Sequence, residues 1–239
     1  MTKLLVLFLA GFVGLSLRYI VYGEFNVNQL YLLLMFPIGA LLAIFIMRSQ
    51  YNKDRDFKPE EKDTYLVTRL GDRVSEAPKQ LYNHNVHIGS FHRFYTSRWK
   101  RLVADTMGKP GQWYLNLSFS LSNGDEFLFR GKKENKLRGN NEWTLYMNEV
   151  EVGTVRTDYS LKNASKLKES LYLDYHGDSF HFKSLGIGSK TEISLDDVTV
   201  ATGKRTRNSV YQLVVNETHA TIAPILFMVY ILFNYEFGQ

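Results

Sequence analysis

Cysteine is absent from the 239 residues. That excludes disulfides, thiolate nucleophiles, cysteine-ligated zinc and S-palmitoylation. A strong charge of either sign is missing as well. Lysine and arginine number 29 against 24 acids, a net charge of +5, which suits contact with anionic lipid and falls far short of a nucleic-acid-binding surface. Catalytic signatures are missing too: there is no Ser-His-Asp elbow and no paired-carboxylate cluster. His84 and His87 fall on opposite faces of a strand, His92 follows five residues later, and Asp174 and His176 share a face without a further ligand, so none makes a metal site. The run Gly186 to Lys190 lacks the leading glycine and the spacing of a phosphate loop and reads as a hairpin turn. No enzyme, metal or cofactor is expected, and no repeat or low-complexity tract is visible.

Apolar residues are present in three concentrated stretches. Leu4 to Leu17 is almost wholly apolar and resumes after Arg18 to Tyr22. It is followed by no small-x-small cleavage site, so it reads as a span and not as a signal peptide. Leu30 to Met47 is a run of eighteen residues without a charge, long enough to cross a bilayer. Arg18 lies near an end, where its stem reaches headgroups. Lys3 precedes the first span, and Arg48, Lys53, Arg55, Lys58 and Lys62 follow the second, while the loop between them carries one acid and no base. The positive-inside rule then places both ends of a helical hairpin, residues 1–48, in the cytoplasm of a cell-membrane protein. Gly39 and Ala43 are expected to face Ala10 and Gly14. Residues 49–62 are polar and read as a linker whose bases lie beside the headgroups.

From residue 63 the period changes to two. In WYLNLSFSLS, Trp113, Leu115, Leu117, Phe119 and Leu121 share one face. Turn signals at Asn123-Gly124-Asp125, Asn148-Glu149 and Gly177-Asp178 join further alternating runs, with RWKRLVAD read among the strands. Roughly ten to twelve short strands at this spacing argue an all-β sandwich or barrel, and the 15 tyrosines and 16 phenylalanines suit half-buried strands. The third stretch, Thr221 to Phe237, is apolar on every side and must be buried. Its uninterrupted run would rise only ~18 Å, which leaves both a helix inside protein and a short span open. A closed barrel of about a dozen strands is too wide for its own side chains to fill, and a helix ~10–12 Å across would plug it.

The pair WYLNLSFSLSNGDEFLFRGKK and EWTLYMNEVEVGTVRTD, with Gly153 closing a strand-turn-strand phrase, and the apolar helix after the last strand resemble the tubby C-terminal-like superfamily. That superfamily includes tubby domains, phospholipid scramblases and LURP-one-related proteins. The resemblance implies a closed twelve-stranded barrel over 63–239 around a hydrophobic helix at 221–237, here preceded by a two-helix transmembrane hairpin that is not part of the superfamily core. Scramblases are similar in carrying an acidic calcium segment before the last helix and palmitoylated cysteines. The matching stretch here holds only Glu217, so calcium-driven scrambling is not implied. Tubby domains bind phosphoinositides through a Lys/Arg pair that no pair of this chain is matched to. Asn116, Asn163 and Asn216 head glycosylation sequons, without meaning on a cytoplasmic domain.

The remaining candidate is a basic-aromatic surface for anionic headgroups. His92, Arg93, Arg98, Trp99, Lys100 and Arg101 are expected on two adjacent strands, and Lys204, Arg205 and Arg207 in a loop before the last strand. The expectation is a non-catalytic, membrane-anchored protein whose barrel binds lipid headgroups or a protein partner. The alternative is a lipid-moving protein with the terminal helix inserted in the bilayer.

Overall fold

The computed structural model describes residues 2–60, 65–107, 112–132, 141–158, 169–184 and 190–238, with the side chain of Arg207 outside the description. Two helices open the chain, α1 (Thr2–Tyr22) and α2 (Val27–Arg55). The Asn26 side chain caps α2 by accepting the Gln29 N–H at 3.2 Å. Both helices are long and apolar enough to cross a membrane. They pack antiparallel, with Leu15, Leu33 and Ala40 the buried residues between Thr2 and Met47. The close approach differs from the Gly39/Ala43 pairing expected above: a Cβ on Gly11 would lie 2.4 Å from Leu33, Gly39 faces Leu4, and Gly14 meets nothing within 4 Å.

Twelve strands follow: β1 (Leu66–Arg69), β2 (Lys79–Asn83), β3 (Val86–Arg93), β4 (Leu117–Leu121), β5 (Glu126–Gly131), β6 (Glu142–Met147), β7 (Val150–Thr157), β8 (Ser170–Tyr175), β9 (Asp178–Ser184), β10 (Lys190–Leu195), β11 (Val198–Arg205) and β12 (Val210–Val215). Each pairs antiparallel with its sequence neighbour, and β12 closes on β1 to complete the barrel. Four of the hairpins turn on two residues with positive φ: His84-Asn85, Asn148-Glu149, His176-Gly177 and Asp196-Asp197. Such turns match the right-handed twist of the flanking strands. They gather at one end of the barrel, and the longer connections at the other.

Two elements depart from the sequence reading. RWKRLVAD is a helix, α3 (Arg98–Thr106), and not a strand. Trp99, Leu102 and Val103 stand at i, i+3 and i+4, a helical spacing. The remaining strand of the barrel is β2, whose KQLYN buries one apolar residue, Leu81, and so gives little alternation to read.

The last helix, α4 (Ala223–Phe237), runs through the barrel. Every residue from Ile225 to Glu236 is buried, and Leu226, Val229 and Phe233 have no exposed surface. They pack against strand residues such as Leu117, Phe129, Leu145, Leu173 and Ile193 in one core. Although α4 and the short turn before it are apolar enough to count as a span, the strands occupy the surface lipid would need. Its approach sets at least one wall residue: a Cβ on Gly203 would lie 2.4 Å from the Tyr230 ring. Gly153 is required for a different reason, since a Cβ there would meet the Asp174 carbonyl at 2.5 Å.

α2 does not stop where the polar segment begins. It continues to Arg55 and docks on the barrel, so the first seven residues expected as linker are helical.

Candidate functional site

The end of the barrel with the long connections receives three things: the C-terminus of α4, the end of α2 and the start of α1. Around α4, two arginines close the plug. Arg73 donates to the Asn234 carbonyl at 3.0 Å and to the Tyr211 hydroxyl, satisfying a helix-terminal carbonyl with a cation at the negative end of the helix dipole. Arg93 is fully buried. It donates to the Arg73 carbonyl at 2.9 Å and to that of Trp113, and stacks over Tyr95 at 4.6 Å. Burial lowers its pKa and raises that of Tyr95 to about 12. The expectation that Arg93 joins a lipid-facing patch is therefore corrected: on β3 its side chain is fully buried, and protein carbonyls accept from both of its terminal nitrogens.

The junction with α2 is built on a buried ion pair. Asp54 accepts from Arg69, from the Gly71 N–H at 3.0 Å and from the Asp72 N–H at 2.7 Å. The Asp54 side chain has no exposed surface and Arg69 has 7%. Gln50, one turn earlier on the same face of α2, also accepts from Arg69. Two residues past the helix, the Phe57 carbonyl accepts from the Tyr82 hydroxyl at 3.0 Å. A second tether holds α1: the Thr2 N–H donates to Asp105 of α3 at 3.2 Å.

Between the end of α2 and the wall formed by β11, β12 and β1 lies an open cleft of about 1110 Å³. Lys53, Lys58, Lys204 and Arg69 line it together with Tyr65, Gln212 and two acids, Asp56 and Glu60. Arg55 engages Asp56 at 2.8 Å. Lys204 lies 5.3 Å from the Tyr65 ring, and Arg205, beside it, 5.7 Å from that of Tyr211. The backbone of Arg207 belongs to the turn before β12.

The other expected residues form a separate group on α3. Trp99 packs edge-on against Tyr114 at 5.6 Å, with Lys100 over both rings. Arg101 pairs with Glu76 at 3.6 Å, and Arg98 is exposed. β3, which leads into α3, and β11 are four strand positions apart in the barrel, ~19 Å along the wall. The expected patch is thus two clusters on one end of the barrel, flanking the points where α2 and α1 dock. Sequence reasoning noticed Lys53 and Lys58 only as bases after a span and passed over Asp54 and Arg69. Asp54 and Arg69 are partners 15 residues apart, and neither carries a local signal of the other.

Of the histidines, His87 contacts Gln80 at 2.7 Å and His181 contacts Ser170 at 2.6 Å. No group of three potential metal ligands occurs among the described residues. Asn116 is buried, its Oδ1 accepting from the Gly131 N–H at 2.9 Å. Asn163 and the run 186–189 lie outside the described residues.

A model of the family described as Tubby C-terminal like domain matches residues 65–237. No curated protein and no solved structure matches the chain.

Proposed function

Taking as premise that the chain belongs to the Tubby C-terminal like domain family, we propose that it is a non-catalytic membrane-anchored protein. In this reading its barrel holds anionic lipid headgroups in the cleft beside α2, at the cytoplasmic face. The observation that carries this is the position of the lysines. α2 leaves its apolar run at Met47 and reaches Lys53 six residues later, ~9 Å of helix, so the cleft opens next to the headgroup layer. There each added lysine is worth ~1 kcal/mol toward an anionic surface. The burial of α4 supports binding over lipid movement, because that helix has no face left for acyl chains.

The test uses the full chain in nanodiscs of phosphatidylcholine alone or mixed with phosphatidylglycerol, followed by mass spectrometry of the lipid retained on extraction. The chain is expected to retain the anionic lipid preferentially. The triple variant Lys53→Ala, Lys58→Ala, Lys204→Ala is expected to lose that preference while keeping its melting temperature. Equal retention of both lipids by the parent chain would remove the headgroup reading and leave a protein partner as the ligand class.

A further inference from the structure

We propose that α3 is an interfacial helix: it lies in the headgroup layer of the cytoplasmic leaflet and sinks Trp99 and Leu102 toward the hydrocarbon. This rests on reading α1 and α2 as spans and adds a third, non-spanning contact with the same membrane.

The depth of α3 follows from α1. The apolar run of α1 begins at Leu4, two residues after Thr2, so Thr2 stands ~3 Å along the helix axis from the hydrocarbon edge. The headgroup region extends ~5–7 Å beyond that edge on each side. Thr2 is bonded through both its N–H and its hydroxyl to Asp105. The C-terminal half of α3 is therefore held within the headgroup layer, whatever the tilt of the hairpin.

The side chains of α3 suit that depth. Ala104 is fully buried against the body, while Arg98, Trp99, Arg101 and Leu102 are exposed. Trp99 is 55% and Leu102 57% exposed, and Met107, just past the helix, 41%. Leu102 lies one turn from Arg98 and Trp99, so guanidinium groups flank the apolar side chains and can extend to phosphates while their stems stay in the acyl boundary. Amphipathic helices with tryptophan and leucine between arginines lie in the interface in this way. The contrast with the rest of the barrel is what makes the case. Outside the hairpin, the other exposed large apolar residues among those described are Val86, Val150, Val198 and Val214. The first three each begin a strand at the tight-turn end, away from α1 and α2. Only α3 gathers such residues on one element, and it is the element tied to α1.

The chain has no cysteine, so single labels can be placed without background. Spin-labelled Leu102→Cys, Val150→Cys and Leu42→Cys would be prepared as full chains in nanodiscs containing phosphatidylglycerol. Collision with oxygen and with a water-soluble nickel chelate would then be measured. The label at 102 is expected to show nickel access severalfold below that at 150 and oxygen access above it, with the label at 42 the most shielded from nickel. Nickel access at 102 equal to that at 150, with 42 still shielded, would overturn the proposal and leave the spans standing. Nickel access at 42 would overturn both. As a second readout, lipids brominated on the acyl chain are expected to quench an emission component that disappears in Trp99→Phe, and quenching unchanged in that variant would count against the immersion of α3.

Discussion

Asp54→Ala tests how the barrel is fixed to the end of α2. In the parent chain the Asp54 carboxylate satisfies Arg69 and the Gly71 and Asp72 amides with no exposed surface of its own. Removing it leaves a guanidinium that is 7% exposed with Gln50 alone from α2, and two amides without their acceptor. Deleting one member of a buried pair costs ~3–5 kcal/mol. The cost has a ceiling, because the end of α2 can lift away and let water reach Arg69. At ~3 kcal/mol the balance between docked and lifted states moves ~100-fold. Hydrogen exchange reads this directly, since the Gly71 and Asp72 amides donate to Asp54. Both are expected to exchange ~100-fold faster in Asp54→Ala, while amides of Leu145 and Ile193 keep their protection. The double variant Asp54→Leu, Arg69→Met, which replaces the pair by apolar groups, is expected to recover the part lost to the unpaired guanidinium and not the part lost at the Gly71 and Asp72 amides, which still lack their acceptor. Unchanged exchange at Gly71 and Asp72 in Asp54→Ala would refute the reasoning.

Three further outcomes are expected. Arg73→Ala removes the donor to the Asn234 carbonyl and the Tyr211 hydroxyl and should lower stability to denaturant by ~1–3 kcal/mol. Gly203→Ala drives a methyl into the Tyr230 ring at 2.4 Å and should cost ~1–3 kcal/mol, with Tyr230→Leu restoring part of it in the double variant. His181 is held neutral mainly by burial, its pKa lowered from 6.5 to about 4. Because the unfolded chain takes up the proton first, its stabilising contribution is complete above pH 6.5 and drains away as pH falls toward 4. The parent chain should therefore lose more stability than His181→Asn between pH 7.5 and 5, and parallel losses would contradict the assignment.

Much of the architecture was legible in the residues because the barrel obeys its own period. Phe119, Phe180 and Phe182 alternate with polar neighbours and all reach the core. The run from Ile222 to Phe233 had no polar stripe and is inside the barrel accordingly. What misled was local. β2 offers a single apolar side chain, so alternation had nothing to show. α3 carries its apolar residues at helical spacing, but RWKRLVAD is short and lies among strands, so its period is hard to tell from theirs. Arg93 illustrates why charge is a poor guide to surface: on β3 its neighbour His92 is half-buried, while the arginine itself serves carbonyls around the end of α4. The hardest part to see was the junction. Asp54 sits in SQYNKDRD, a segment with the composition of a linker, and its function depends on Arg69 and two backbone amides that only the closed barrel brings to it.

The central claim is that an unbroken α2 holds the barrel in one pose relative to the apolar hairpin proposed to span the bilayer. Double electron–electron resonance between labels at Leu42→Cys, inside the apolar run of α2, and Val198→Cys, at the tight-turn end of the barrel, measures it in nanodiscs. A single narrow distance distribution that broadens in Asp54→Ala is the predicted result. A broad distribution in the parent chain would mean a barrel swinging on a loose tether, and would contradict the account.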